Sequence, residues 1–325
     1  MKSLLCCYYP TKVIFVDDST LLLESLVPIL DENVASYDYF DSPEAALELI
    51  NNSESSFSIQ DRKIDEIYKT IYNPRRYEEI STVIVDYEMP SMKGLEFCEN
   101  LQNPYIRKIL YTGAADESLA ITAFNKGIID GYIPKNHPDP SAAINDFVKE
   151  SQLKYFRSLT DVSVEAILRE YSAENPGDTA FYDPAFIDYF DELVKKHNFC
   201  EYYLNEIFGS FVFLSPKGKP SALFTYPEEI FERMQLEFQG ILEDKMTSTK
   251  QISSSLIKDL EEKRKMICLP FCGGEMHPEP EKWEKYAYPV QEVKGNQTYY
   301  VAYVPDADYV THSEVLSFEK YTRSR

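Results

Sequence analysis

The stretch Thr82-Val-Ile-Val-Asp86-Tyr-Glu-Met-Pro90 constrains the fold more than any other part of the chain. A short run of β-branched apolar residues enters one aspartate, and a turn containing Pro90 and Gly94 follows. That is the pattern of a buried parallel strand closed by turn residues. In an open α/β sheet, ligands sit in the crevice outside the carboxyl ends of the strands. Asp86 is therefore expected at that rim, its carboxylate facing the crevice. Taken alone, a loop-capping aspartate would look the same.

Other residues separate the two readings. Asp17 and Asp18 close the apolar run Lys12–Val16, Thr112 closes Lys108–Tyr111, and Lys135 closes Asp130–Pro134. Helical stretches lie between these runs, and a β-α-β-α order predicts a parallel sheet with helices on both faces. Such a sheet gathers the four strand ends on one rim. Ser19 or Asp18 is placed to cap a helix over Thr20–Leu30, and Ser36–Phe40 reads as the second strand. Asp41-Ser42-Pro43-Glu44 reads as a cap with proline in the first helical position, opening a helix over Pro43–Ile50. Further helices are expected over Gly94–Leu101 and Glu117–Lys126, the latter with Gly127 as its C-cap. A last one begins near Ser141 and, on the spacing of Ile144, Phe147, Val148, Leu153 and Phe156, runs to about Arg157.

This ordered set (acid pair, strand-ending Asp followed by Met-Pro and Gly, then Thr, then Lys) resembles the receiver domain of two-component response regulators over roughly residues 10–150. The resemblance implies a flavodoxin-like, doubly wound five-stranded parallel sheet. It implies that Asp86 is the phosphoacceptor and that Mg2+ is held by Asp17, Asp18, Asp86 and the backbone carbonyl of Glu88. It assigns Thr112 and Tyr132, the latter three residues before Lys135, to a switch pair, and Lys135 to the phosphoryl oxygens. Glu88 also stands where receivers tune hydrolysis of the phosphoryl group. The residue types suit the chemistry. Carboxylate attack on an anion needs charge neutralisation by a divalent ion, Mg2+ takes hard oxygens, and lysine is a compact mobile cation. One departure is visible: proline follows the lysine in many receivers, whereas here Pro134 precedes it and Asn136 follows. The implied partners are a sensor histidine kinase or phosphotransfer protein, a second copy in a phosphorylation-dependent homodimer, and a protein that reads the output.

The 325 residues suggest two domains, a receiver over 1–158 and a second domain over 159–325. The formal net charge of −21 disfavours general binding to nucleic acid and leaves only a local basic patch open to it. No apolar run approaches the length of a membrane span, the N-terminus is too short in its apolar part for a signal peptide, and six cysteines fit a reducing compartment, so a cytoplasmic protein is expected. The segment from Asn51 to Ile80 is longer than a receiver needs. Ile59, Ile64, Ile67, Tyr68 and Ile71 recur at helical spacing, which places an inserted helix near 58–72, stopped by Asn73-Pro74. An added amphipathic helix must bury its face somewhere, either as an embellishment or against a partner.

The second half says less about chemistry. A helix capped within Thr160-Asp-Val-Ser163 and running to Tyr171 is expected, then a helix over Pro184–His197. Strands follow over Glu201–Ile207, Ser210–Leu214 and Ser221–Thr225, then helices over Pro227–Lys245 and Ser253–Lys265, and a hairpin of Tyr288–Val293 with Thr298–Val304. This is an α+β domain. It has no glycine-rich phosphate loop, no His-Asp pair of a metal phosphodiesterase and no basic recognition helix; Lys263-Arg-Lys265 reads as a solvated helix end. Cys268 and Cys272 with His277 could offer three metal ligands at loose spacing, and buried thiols are the plainer reading. Glu292-Val-Lys294 matches half of a nuclease-like metal core without a visible upstream Asp. It leaves one alternative output open, a receiver-gated nucleotide- or nucleic-acid-binding or nuclease-like enzyme. Beyond phosphorylation and dephosphorylation of the receiver, no enzymatic activity is expected. The whole pattern resembles a group of bacterial response regulators with an atypical C-terminal domain, the quorum-sensing regulator of Legionella among them.

Overall fold

The computed structural model describes residues 3–53, 64–113, 117–170, 179–245, 252–268, 283–308 and 310–324. Its first half holds a five-stranded parallel sheet in the order Ser36–Phe40, Lys12–Val16, Ile80–Asp86, Arg107–Thr112, Gly131–Pro134. Counted along the chain this is 2-1-3-4-5, the doubly wound flavodoxin-like order. Alternation along each strand divides the core in two. Ile14, Val16, Val83, Val85 and Leu110 pack with Ala46, Leu47, Phe97, Cys98, Ala120 and Ala123 from the second, third and fourth helices. Val13, Phe15, Ile84, Ile109 and Ile133 pack with Leu23, Leu26, Ile144 and Val148 from the first and last. The Ile80–Asp86 strand is buried at every position, as expected of a central strand covered on both faces.

Local signals act as read. Ser19 caps the first helix, accepting from the Leu22 N–H, and Ser42 caps the second with Pro43 behind it. Gly127, at φ +71°, ends the fourth helix in the left-handed region. Two boundaries in this half differ by more than two residues. The first helix stops at Leu26 and tightens into a 3-10 turn over Val27–Ile29, because Pro28 has no N–H to continue the ladder. The last helix does not stop near Arg157 with a new start at Thr160. It is one helix, Pro140–Glu170, since no proline or glycine interrupts residues 157–164 and Ser and Thr cap only where the preceding backbone leaves the helix. Its position is fixed by Arg107, which donates to the Lys154 carbonyl and to Ser158 and pairs with Asp130 at 3.1 Å.

The second half is α+β. Its main sheet is mixed in origin: a short N-terminal strand, Cys7–Tyr8, lies beside Glu201–Glu206, followed by Ser210–Leu214, Pro220–Pro227, Thr298–Val304 and Gln291–Lys294. Helices Pro184–His197, Glu228–Lys245 and Ser254–Glu261 accompany it, and Lys265–Ile267 pairs with Ala287–Pro289. Asp183 caps the Pro184–His197 helix and also accepts from the Asn296 N–H at 2.6 Å, which ties that helix to the last hairpin turn.

The chain gathers into two compact units, and neither is one continuous stretch. One holds Tyr8–Arg62, Asn73–Val164 and Leu316–Arg325; the other holds Met1–Cys7, Lys63–Tyr72 and Glu165–Val315. The expected boundary at 158/159 falls inside the Pro140–Glu170 helix, and the compact units exchange chain at several other points. The inserted helix, Ile64–Lys69 in its described part, lies against the Glu201–Glu206 strand, with Ile64, Ile67 and Ile71 buried. Ile59 lies outside the described residues, as do Cys272 and His277. Cys268 is buried, and burial pushes its thiol well above its ordinary range. The described cysteines are free thiols, and no described helix is long and apolar enough to cross a membrane.

Burial also raises the Glu206 carboxyl from 4.5 to about 7, against a 3.0 Å hydrogen bond from the Ser210 hydroxyl. A carboxyl whose folded pKa exceeds its unfolded one stabilises the fold when protonated, and loses that contribution as pH rises from about 4.5 through about 7. Denaturant midpoints across this window are predicted to fall faster with pH in the wild type than in Glu206→Gln.

Candidate functional site

Register brings the chemical residues together. Val16 pairs with Val85, Asp86 with Tyr111, and Thr112 with Pro134. Asp17 and Asp18, Asp86, Thr112 and Lys135 therefore all emerge at one rim of the parallel sheet. The Lys135 Nζ lies 2.7 Å from Asp17 Oδ2 and 2.9 Å from Asp86 Oδ1. Asp17 is 3% exposed and Asp86 7%, while Asp18 is exposed. The Ser19 N–H donates to the other Asp17 oxygen at 2.9 Å, so the residue that caps the first helix also orients the first acid.

Carboxylate oxygens of Asp17, Asp18 and Asp86 all lie within 4.8 Å of one another. That is a fit for a small hard cation: three oxygen donors, with the exposed Asp18 leaving room for waters. Among the described residues no other such acidic, cysteine or histidine group forms. Burial pushes the Asp86 carboxyl up, and the hydrogen bond and charge of Lys135 work against that rise. Burial pulls Lys135 down, but its bonds to Asp17 and Asp86 outweigh it and lift the ammonium above its ordinary range. Lys135 stays charged, and its single positive charge is shared between the two buried acids.

The loop after Asp86 is set by a close backbone approach. The Gly94 N–H donates to the Tyr87 carbonyl at 2.9 Å, and a Cβ on Gly94 would overlap the Asp86 carbonyl oxygen. Met89 is buried in the core, which turns the Glu88 side chain outward to pair with Lys93 at 3.2 Å. Thr112 is buried, its hydroxyl 3.5 Å from the Gly113 carbonyl, and its own carbonyl accepts from the Lys135 N–H at 2.7 Å. Tyr132 is half-buried and packs on the cluster that contains Ala120 and Ala123 of the fourth helix. No described peptide bond is cis, so Lys135-Asn136 takes its course with a trans bond. Two contributors were not anticipated from sequence. Tyr111 lies beneath Lys135, its ring centroid 5.6 Å from Nζ, and Lys93 holds Glu88. Position next to Thr112 on the same strand was the available signal for Tyr111.

Glu292 and Lys294 stand elsewhere. They pair with each other at 3.3 Å on the edge strand Gln291–Lys294, both exposed, and among the described residues no acid cluster includes Glu292.

No protein-family model and no curated protein matches the chain by sequence. Among solved structures, the response regulator LqsR of Legionella pneumophila is similar over 98% of this chain and 95% of its own, at 33% identity and a TM-score of 0.77. A CheY-like receiver domain protein of Methanospirillum hungatei JF-1 matches 46% of the chain and 98% of itself, at 21% identity and a TM-score of 0.34. The receiver domain of an HD domain-containing protein of Pseudomonas fluorescens Pf-5 matches 44% and 90%, at 21% and 0.33. The full-length match carries the weight.

Two outcomes test the geometry. By calorimetry, Asp17→Asn and Asp18→Asn are each predicted to weaken Mg2+ binding at least about tenfold, since each removes one charged oxygen donor. Gly94→Ala is predicted to lower stability by about 1–3 kcal/mol in denaturant unfolding, because its Cβ meets backbone that cannot move aside.

Proposed function

The chain belongs to the two-component response regulators, and from that premise we propose that it is switched by phosphorylation of Asp86. A sensor histidine kinase or a phosphotransfer protein presents a phosphohistidine at the rim. An Asp86 carboxylate oxygen attacks phosphorus, the oxygen–phosphorus bond forms as the nitrogen–phosphorus bond breaks, and the imidazole keeps the electron pair. Asp17, Asp18 and Asp86, with the Glu88 carbonyl, are the residues that would hold Mg2+. Bound there, the ion neutralises charge on the transferring group and on the acids.

The observation that carries this reading is the shared ammonium of Lys135, bonded to both Asp17 and Asp86. Its hydrogen bond and charge oppose the rise that burial imposes on the Asp86 carboxyl, and so favour the ionised, nucleophilic form. It also stands where a phosphoryl oxygen would arrive. When the phosphoryl group takes over Lys135, Thr112 offers its hydroxyl to a second oxygen. Movement of Thr112 lets Tyr132 repack against the fourth helix. Converting the carboxylate to an acyl phosphate adds about one negative charge and brings new acceptor oxygens, enough to bias a two-state element by a few kcal/mol. The consequence is a changed surface on the fourth helix, fifth strand and last helix, read out by homodimerisation or by release of the second unit toward a protein partner.

Incubation of the full chain with Mg2+ and a small phosphodonor, followed by mass spectrometry, tests the first step. One phosphoryl group is predicted on the wild type, mapping to Asp86, and none on Asp86→Asn or without Mg2+. Light scattering of the same samples reads the second step. A phosphorylated chain that stays monomeric would leave release of the second unit as the output; an Asp86 that accepts no phosphoryl group would overturn the reading.

A further inference from the structure

Lys135 reaches the two acids only by crossing a strand. It leaves the sheet at the end of Gly131–Pro134, whereas Asp86 ends the strand two places along, about 10 Å away at the usual spacing between strands. Arg107–Thr112 runs between them. The residue of that strand level with both is Tyr111, paired with Asp86 on one side and with Ile133 on the other.

The Lys135 backbone is pinned, since its N–H donates to the Thr112 carbonyl at 2.7 Å. The flexible four-carbon stem still leaves the ammonium free to wander unless other groups hold it. Three do: Asp17 Oδ2 at 2.7 Å, Asp86 Oδ1 at 2.9 Å, and the ring of Tyr111, whose centroid lies 5.6 Å from Nζ. That distance is within the reach at which an aromatic face attracts a cation. Packing keeps the ring in place, for Tyr111 is buried in the cluster that includes Phe15, Leu23, Ile84 and Ile133. On the phosphorylation reading of Asp86, the two carboxylates do not remain constant partners. A group on Asp86 replaces one bond of the ammonium with a bond to its own oxygen, and a divalent cation competes for Asp17. The ring is the partner that neither event displaces. An aliphatic side chain at 111 would fill the core without offering the ammonium a negative face.

We propose that Tyr111 is a positioning residue for phosphoryl transfer: the face of its ring holds the Lys135 ammonium at the rim, and so sets how well that ammonium meets the oxygens of a group on Asp86.

The proposal rests on the phosphorylation reading, and two measurements on the full chain separate the two. The first is the rate of phosphorylation by acetyl phosphate with Mg2+. Tyr111→Leu is predicted to slow it about three- to tenfold, and Tyr111→Phe, which keeps the ring, to stay within about twofold of the wild type. The second is a double-mutant cycle of Tyr111→Leu with Lys135→Met in denaturant unfolding, with no phosphodonor present. It is predicted to show a coupling of about two- to fivefold in the unfolding constant. A chain with pentafluorophenylalanine at 111 keeps the shape of the ring and draws electron density off its face. It is predicted to be slowed like Tyr111→Leu, and it serves in place of Tyr111→Leu in both measurements if that variant does not fold. A wild type that accepts no phosphoryl group would overturn the phosphorylation reading and this proposal with it. A wild type that is phosphorylated, with Tyr111→Leu equally fast, would overturn this proposal alone. Tyr111→Phe as slow as Tyr111→Leu would overturn it by assigning the effect to the hydroxyl, and an absence of coupling to Lys135 would do so by making Tyr111 core packing only.

Discussion

Everything at the functional rim depends on one ammonium shared by two buried carboxylates. Asp17 and Asp86 are both nearly closed to solvent, and two like charges in such a place repel each other and are poorly hydrated. Lys135 resolves this by bonding to both at 2.7 and 2.9 Å. The arrangement requires three strands to end level with one another, so the sheet register is as much a part of the site as the side chains are. Under the proposed function, an anion on Asp86 that recruited Lys135 and a divalent cation would rearrange the charges at the rim, and a packed sheet with helices on both faces would respond by switching between discrete packings rather than by bending.

The receiver half was legible in the sequence because its signals are local and mutually consistent. Each strand is a short apolar run, each helix has a cap or a stop, and the chemical residues sit at strand ends, where the order β-α-β-α dictates they meet. Ser36–Phe40 and the start of the second helix at Pro43 are read to the residue. The errors were at boundaries governed by longer context. Thr160-Asp-Val-Ser163 looks like a cap, but a cap forms only if the backbone before it has already left the helix, and here it has not.

The interleaving of the two units was not legible, and for a physical reason. Periodicity at Ile64, Ile67 and Ile71 says that a helix has an apolar stripe; it does not say which surface the stripe covers. Both faces of the receiver sheet already carry helices, and the stripe is buried against Glu201–Glu206 instead. The same holds for Cys7–Tyr8, too short to read as a strand until its partner is known, and for Tyr77, Phe318 and Tyr321, distant in sequence and joined only by packing. Similarity to LqsR runs over 98% of the chain, so it covers the insertion and the second unit as well as the receiver.

The claim on which the account turns is that Asp86, with Lys135 and the neighbouring acids, forms a competent phosphoryl site. The most direct measurement is 19F NMR of the full chain with beryllofluoride, which mimics an aspartyl phosphate. The account predicts bound fluorine resonances that require Mg2+, vanish in Asp86→Asn and shift in Lys135→Ala. Absence of bound resonances in the wild type with Mg2+ present would contradict it, and would leave the chain a receiver in fold with its switching chemistry lost.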